Sequence, residues 1–203
     1  MWRVYTSVTN MLHSRGYQSD TLMTRDAFYD RLTVHFTDTV SSIAETFDKG
    51  MFNCTMTHPV NEDTVLIVFM NEKTIGRKHV ADLIERMSLS CVDHCVMVFP
   101  HTLTSSARKD LERHEFNVEA FSETELLYNV MNHVMMPKFT ILSRREKHQL
   151  FGSKCLIKEQ QLPRISISDK AARYLGLRRG EVVRIERESQ TAGVTVSYRL
   201  CTL

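Results

Sequence analysis

The sequence predicts two modules: an N-terminal α/β domain with three layers, and a small C-terminal α+β domain that ends in a β-hairpin. Within residues 1–135, apolar runs of strand length alternate with segments of helical period, which is typical of a sheet with parallel strands. The net charge also reverses: residues 1–135 carry 12 Lys and Arg against 18 Asp and Glu, and residues 136–203 carry 14 against 6. Pro137, which disfavours helix at the residue before it, supports a domain boundary between residues 135 and 136.

Three helices are expected in the first fifty residues. The first has apolar residues at steps of three and four and ends at Gly16, which tolerates the left-handed conformation of a helix terminus. Thr24 is the expected N-cap of the second helix. The third should cover residues 40–47. The apolar positions of the first helix are Trp2, Tyr5, Val8 and Leu12.

Strands and helices then alternate up to the domain boundary. We expect strands at residues 52–56, 65–70, 95–99 and 117–121, and helices at residues 77–87 and 106–114. Ser122 and Glu125 have the spacing of a capping box, which predicts a further helix that continues through Val130.

The C-terminal module has its own start and stop signals. Ser143 and Glu146 form a second capping box, opening a helix to about Phe151, and Ser168 is the expected N-cap of a helix that Gly176 ends. Strands are expected at residues 165–167 and 182–185, with a turn at residues 178–180 between the second helix and the second strand. A turn at Ala192-Gly193 leads into a last strand, which places Val194, Val196, Tyr198 and Leu200 on one face.

Composition excludes some classes of protein. No window approaches the roughly 18 consecutive apolar residues of a membrane span, and polar residues interrupt the first apolar stretch, so neither a membrane protein nor a secreted one is expected. The five cysteines are expected to be free thiols in the reducing environment of cytosol or nucleus.

No catalytic motif, cofactor or metal is expected. Cys91, His94 and Cys95 form the one cluster resembling a zinc site, but it lacks a fourth ligand and a paired second half. Glu72-Lys73 faintly resembles the carboxylate and lysine of metal-dependent nucleases, without their Glu-x-Lys spacing. The alternative function suggested by this weak likeness is a stand-alone DNA-binding or nuclease-derived module.

A polar segment follows the expected strand 95–99. Open α/β sheets bind ligands beyond the carboxyl ends of their strands, where helix N-terminal amides, hydroxyls and cations can meet a phosphate backbone. An ordinary helix cap with a solvated basic turn is the alternative interpretation. The residues are Thr104, Ser105, Ser106, Arg108 and Lys109.

The last third of the chain resembles a known family. Its residues match, in order and spacing, the C-terminal module of the fifth subunit shared by eukaryotic RNA polymerases I, II and III, a module that archaeal RNA polymerase also contains. Looser matches include Trp2-Arg3 and Arg15-Gly16-Tyr17. The main matching positions are Gln161-Leu162-Pro163-Arg164-Ile165, Asp169, Ala172-Arg173-Tyr174, Gly176-Leu177, Arg179-Gly180-Glu181-Val182-Val183, Ile185, Arg187, Ser189, Thr191-Ala192-Gly193 and Tyr198-Arg199.

The resemblance implies a non-catalytic polymerase subunit in the nucleus, or in the nucleolus if the polymerase is polymerase I. The C-terminal assembly domain would dock on the largest subunit, among other core subunits. The N-terminal domain would form part of the jaw around downstream duplex DNA, with residues 104–109 near the DNA and no sequence preference. The implied docking residues are Gln161, Leu162, Pro163, Arg164, Asp169, Arg173, Tyr174, Arg179, Gly180, Thr191, Gly193 and Arg199.

The chain also departs from the family at several positions. Ser105 and Lys170 stand where the family usually has proline, Gln190 where it has glutamate, Cys155 where it has tyrosine and Phe139 where it has histidine. These differences indicate a divergent member. The resemblance leaves open which polymerase contains the chain, and whether the chain is a specialised paralogue or a version encoded by a large DNA virus.

Overall fold

A computed structural model of the chain describes residues 1–19, 23–38, 48–152 and 159–202. The helix expected at residues 40–47 lies outside these ranges. The described chain forms two compact units, Met1–Tyr128 and Asn129–Leu203. The boundary expected between residues 135 and 136 stays a prediction. None of the described helices is long and apolar enough to cross a membrane.

The N-terminal unit is built on a four-stranded sheet, and its strands are β1 (Cys54–Thr57), β2 (Thr64–Phe69), β3 (Thr74–Ile75), β4 (His94–Phe99), β5 (Thr102–Leu103) and β6 (Asn117–Ser122). The order in the four-stranded sheet is β1-β2-β4-β6. Strands β2, β4 and β6 are parallel, as the alternation of strands and helices predicts, and β1 is antiparallel to β2.

Helices cover both faces of this sheet. They are α1 (Trp2–Ser14), α2 (Arg25–Asp38), α3 (Arg77–Leu89), α4 (Ser105–Arg113) and α5 (Glu123–Leu126), with a 3₁₀ helix at Lys49–Phe52. On one face, Val68 of β2 and Cys95 and Met97 of β4 pack with residues of α3 and α4. The opposite face of β2 carries Phe69, whose ring lies 6.3 Å from that of Tyr5 in α1. The expected three-layer α/β class is therefore confirmed.

The C-terminal unit is built on a second four-stranded sheet. Its elements are β7 (Lys138–Ile141), α6 (Arg144–Gly152), β8 (Arg164–Ser166), α7 (Lys170–Leu175), β9 (Val182–Ser189) and β10 (Gly193–Thr202), with 3₁₀ helices at Val130–Asn132 and Glu159–Gln161. The strand order is β7-β9-β10-β8. Strand β10 is antiparallel to β9 and parallel to β8, and β7 is antiparallel to β9. The small core joins the sheet to α7 and includes Ile165, Ala172, Val183 and Cys201.

Two expectations about helix termini are wrong. The helix that begins after Ser122 ends at Leu126 and does not continue through Val130, because Asn129 caps a new 3₁₀ turn by accepting a hydrogen bond from the amide of Met131. The N-cap of α7 is Asp169, not Ser168: its carboxylate accepts from the Ala171 amide at 2.9 Å. A carboxylate is the stronger acceptor for a helix amide.

Two strand predictions also need correction. Strand β1 begins at Cys54, since Phe52 belongs to the preceding 3₁₀ helix. Strand β7 was not expected, because four residues that pair only with β9 show too little alternation to be recognised. The capping boxes at Ser122 and Ser143 and the left-handed Gly176 are confirmed.

Candidate interaction surfaces

Two helix N-termini lie side by side at one edge of the N-terminal unit. Strands β3 and β5 pair in parallel, and each is followed directly by a helix, α3 after β3 and α4 after β5. The amide of Thr104 donates to the carbonyl of Ile75 at 3.1 Å, which ties the two helix starts together. Both helices therefore direct N-terminal backbone amides and the positive ends of their dipoles towards this edge.

Thr104 holds the start of α4 in place. Its hydroxyl accepts from the Ala107 amide at 3.3 Å and donates to the Ile75 carbonyl at 3.0 Å, and it lies 3.2 Å from the Ser106 hydroxyl. The helix thus begins at Ser105, one residue before the expected start. Thr104 and Ser106 are half-buried and serve the helix cap, whereas Ser105 is exposed.

The same edge carries several exposed cations. Arg77 at the start of α3 pairs with Asp110 of α4, with 2.9 Å between Nε and Oδ2. Arg108 and Lys109 are exposed and have no acidic partner among the described residues. Lys73 and Lys78 are exposed on the neighbouring segment; the sequence had drawn attention to Lys73 only as the neighbour of Glu72, and Lys78 was not predicted. Their position after a parallel strand was the signal that could have found them. This edge is a positive area on a domain of negative net charge, and it suits a phosphate backbone.

Four of the expected docking residues shape the C-terminal unit. Asp169 caps α7, and the Tyr174 hydroxyl accepts from the side-chain amide of Asn129 at 3.0 Å. Gly180 and Gly193 have φ values of +86° and +69°, in the left-handed region that favours glycine. These residues would influence a partner mainly through the shape of the domain.

The other expected docking residues are more accessible. Arg164 and Arg179 are exposed, and neither has an acidic partner in the described part of the chain. The Pro163 carbonyl accepts from the Leu200 amide at 2.8 Å, which places the segment around Arg164 beside β10. Gln161, Pro163 and Thr191 are also exposed, and Leu162, Arg173 and Arg199 are half-buried.

Lys147 connects three parts of the C-terminal unit, a role that the sequence did not reveal. Its ammonium donates to the Glu159 carboxylate and, at 2.7 Å, to the Gly180 carbonyl. Helix α6, the 3₁₀ helix at Glu159–Gln161 and the turn before β9 are thereby held together. The turn that presents Arg179 is thus fixed by a charge-assisted hydrogen bond.

A nearly buried ion pair joins the end of α1 to the N-terminal sheet. Arg15 donates two hydrogen bonds of 2.8 Å to Glu119 in β6, and His94 Nε2 lies 3.0 Å from the same carboxylate. Burial raises the pKa of Glu119, but hydrogen bonds from His94 and Arg15 and the Arg15 charge outweigh it and lower the pKa to about 2. Glu119 is therefore an ionised structural group.

The residues of the possible zinc cluster are separated by the fold. Cys95 is buried in the core beneath α3, and burial, with the nearby Glu119 charge, raises the pKa of its thiol to about 12. His94, the next residue on β4, points to the other face and contacts Glu119. A protonated thiol on one face of the sheet and a hydrogen-bonded imidazole on the other are not arranged to bind the same zinc ion.

The Glu72 carboxylate, which with Lys73 suggested a nuclease, does not converge with Asp63, an acidic residue ahead of the same strand. Asp63 precedes β2 and Glu72 follows it, so about 20 Å of extended chain separates them. Metal-dependent phosphodiester cleavage requires carboxylates close enough to share one ion. Within the described ranges, no group of three or more His, Cys, Asp or Glu side chains is arranged to hold a metal.

Comparison with known proteins identifies relatives of both units. The family model "RNA polymerase Rpb5, N-terminal domain" matches residues 1–87, and "RNA polymerase Rpb5, C-terminal domain" matches residues 128–201. The subunit RPABC1 of DNA-directed RNA polymerases I, II and III from Caenorhabditis briggsae is 31% identical over 205 residues, covering 98% of this chain and 94% of the relative. The Dictyostelium discoideum protein of the same name is 34% identical over 143 residues, covering 68% of this chain and 72% of the relative.

These matches define the class of protein: a non-catalytic subunit of a DNA-directed RNA polymerase. The two family models together cover most of the chain, in the order in which the two units occur. The chain belongs to the RNA polymerase Rpb5 family.

Proposed function

We propose that the chain joins a nuclear RNA polymerase through its C-terminal unit, which docks on the largest subunit, while its N-terminal unit lies in the jaw beside downstream duplex DNA. Membership of the Rpb5 family is the observation that carries this proposal. The relatives' names, which list polymerases I, II and III, support a nuclear location, and a nucleolar one if the host is polymerase I.

The charge of the C-terminal unit supports docking on a protein surface. Residues 136–203 carry 14 Lys and Arg against 6 Asp and Glu, and the exposed Arg164 and Arg179 are unpaired among the described residues. Unpaired guanidinium groups can form bidentate hydrogen bonds with carboxylates of a partner. We therefore infer that the largest subunit presents acidic side chains to both arginines.

The two helix N-termini support contact with the DNA backbone. Arg108 and Lys109 lie near the start of α4, whose N-cap is Thr104 and whose first two residues are Ser105 and Ser106. Amides, hydroxyls and cations recognise phosphates without reading bases, so this contact would have no sequence preference. Ser105, which replaces a family proline, is exposed and adds a hydroxyl to this surface.

Affinity purification of the full chain from its own cells tests the proposal. We expect the largest polymerase subunit to co-purify, and Arg164→Glu with Arg179→Glu to reduce its recovery. Arg145→Glu, which reverses an exposed charge on α6 outside the matched positions, is the control. Recovery of no polymerase subunit, or magnesium-dependent DNA cleavage by the pure chain, would contradict the proposal and favour a stand-alone DNA-binding or nuclease module.

Photo-crosslinking of the assembled polymerase tests the DNA contact. A photoreactive amino acid at Ser105 should crosslink to downstream duplex DNA of any sequence. The same group at exposed Leu89, at the opposite end of α3 from the two helix starts, should not. Equal crosslinking from both positions would show that residues 104–109 have no special proximity to DNA.

A further inference from the structure

Strand β10 has an edge that its neighbours leave open. Along its other edge it pairs with β9 over the whole stretch from Gly193 to Leu200. Strand β8 pairs only with Leu200, Cys201 and Thr202, at the end of β10. Residues 193–199 therefore have no neighbouring strand on the β8 side in the part of the chain that the structure describes.

The backbone groups at this edge can be assigned. The Leu200 amide donates to the Pro163 carbonyl at 2.8 Å, so Leu200 directs its backbone polar groups to the β8 side. Residues two apart along a strand point the same way, which directs the amides and carbonyls of Val196 and Tyr198 to the open edge. Thr195 and Ser197 direct theirs to β9.

The edge has few of the features that normally protect exposed strands. Among residues 193–199 the only charged residue is Arg199, next to the start of the pairing with β8, and none is a proline. Val194 and Val196 are 60% and 40% exposed, on the same face as the half-buried Tyr198. Natural proteins block such edges with lysine, proline or bulges, because an open apolar edge is a template for another strand.

We propose that this edge accepts an extended segment of a polymerase core subunit, which adds a fifth strand to the C-terminal sheet beside residues 193–199, ahead of the position at which β8 begins. This inference rests on the proposed assembly into a polymerase. The added strand would bond to the backbones of Val196 and Tyr198. It would carry apolar side chains at alternate positions, facing Val194 and Val196.

Charge decides between a partner and a second copy of this chain. Arg164 lies at the end of the open edge, on the same face as Leu200, its neighbour in β10. An added strand would lie in line with β8, so its end would meet Arg164, where an acidic residue fits. Self-pairing would bring together two copies of a domain that carries 14 Lys and Arg against 6 Asp and Glu. Repulsion between the two positively charged domains opposes that association.

Amide hydrogen exchange tests the added strand directly. In the isolated full chain, the amides of Val196 and Tyr198 should exchange faster than those of Thr195 and Ser197, which bond to β9. In the assembled polymerase, the first two should slow by about tenfold or more, because a new hydrogen bond protects them. Unchanged exchange at both positions in an assembled polymerase would overturn the proposal.

A pair of substitutions separates the edge from docking in general. Val196→Pro removes an amide that bonds to nothing inside the described chain, and prolines are tolerated at sheet edges. Val196→Thr keeps that amide and a β-branched side chain. Recovery of the largest subunit should fall about tenfold with proline and change little with threonine, at similar thermal stability.

The outcomes distinguish the two proposals. Normal recovery with Val196→Pro, but loss with Arg164→Glu and Arg179→Glu, would refute the added strand and leave docking intact. Normal recovery both with Val196→Pro and with the double variant Arg164→Glu, Arg179→Glu would refute the proposed docking as well. A dimer of the isolated chain by light scattering, with protected Val196 and Tyr198 amides, would identify a second copy as the occupant instead.

Discussion

Arg15 and Glu119 form two parallel hydrogen bonds of 2.8 Å across 104 positions of the sequence. The pair fixes the residue that follows α1 to strand β6, and His94 of β4 completes the site. The Arg15 side chain is 7% exposed and that of Glu119 is 21% exposed, so water can replace little of the interaction.

Removing one partner of this pair should destabilise the N-terminal unit. Arg15→Met leaves the Glu119 carboxylate largely buried without its main donor, and we expect the free energy of unfolding to fall by about 2–4 kcal/mol. Urea unfolding measures the change. The double variant Arg15→Met with Glu119→Leu should recover much of the loss, because no unpaired charge remains. A double variant as unstable as Arg15→Met would contradict this account.

Acid should weaken the fold through Glu119. Its folded-state pKa is lowered from the usual 4.5 to about 2. Above pH 4.5 the carboxylate is ionised in both states and its stabilising effect is fully present. Between pH 4.5 and about 2 the unfolded chain binds the proton first, so the free energy of unfolding falls in this window. Glu119→Gln should show a smaller fall in unfolding experiments across these pH values. Equal falls in the two proteins would show that another group is responsible.

Loss of the Thr104 hydroxyl should loosen the start of α4. Thr104→Val keeps the shape of the side chain but removes the N-cap acceptor for the Ala107 amide, which should cost about 1 kcal/mol. Amide exchange at Ala107 should accelerate in this variant. Ser105→Ala, at an exposed neighbour outside the cap, should leave both stability and exchange nearly unchanged. Similar effects from the two substitutions would argue against the cap.

Substitution of Gly193 is expected to destabilise the protein only because of the backbone conformation at this position. Its φ is +69°, and a Cβ at this position would meet no atom within 4 Å. Gly193→Val should therefore cost about 1–2 kcal/mol through backbone strain and impair incorporation into the polymerase. Gly193→Asn should cost less, since asparagine tolerates the left-handed region. Thermal unfolding and co-purification check both variants, and equal behaviour of valine and asparagine would refute the reason given.

Phosphate contact by α4 should appear as salt dependence. Arg108→Ala with Lys109→Ala should weaken binding of downstream duplex by the assembled polymerase, equally for any sequence. The slope of log K against log salt should become less steep by about 2, one contact for each cation. Arg113→Ala, at the other end of α4, is the control and should leave the slope unchanged. An unaltered slope in the double variant would place the DNA contact elsewhere.

The sequence was most informative where local chemistry decides the structure. Gly16, Gly176 and Gly193 marked turns because only glycine readily takes positive φ, and each has it. The capping boxes at Ser122 and Ser143 were visible because their partners lie three residues away. The buried strands β2 and β4 were visible as uninterrupted apolar runs.

The sequence by itself therefore determined the class of fold, most helix and strand positions and the family resemblance. Only the tertiary structure paired Arg15 with Glu119, brought Lys73 and Lys78 to the edge that carries Arg108, and used Lys147 to hold the turn at Gly180. It also showed that β8 begins only beside Leu200, so that among the described residues no strand lies next to residues 193–199 on that side of β10. The physical reason is distance along the chain: turns and caps depend on neighbours within four residues, whereas sheet edges and ion pairs depend on residues that folding brings together.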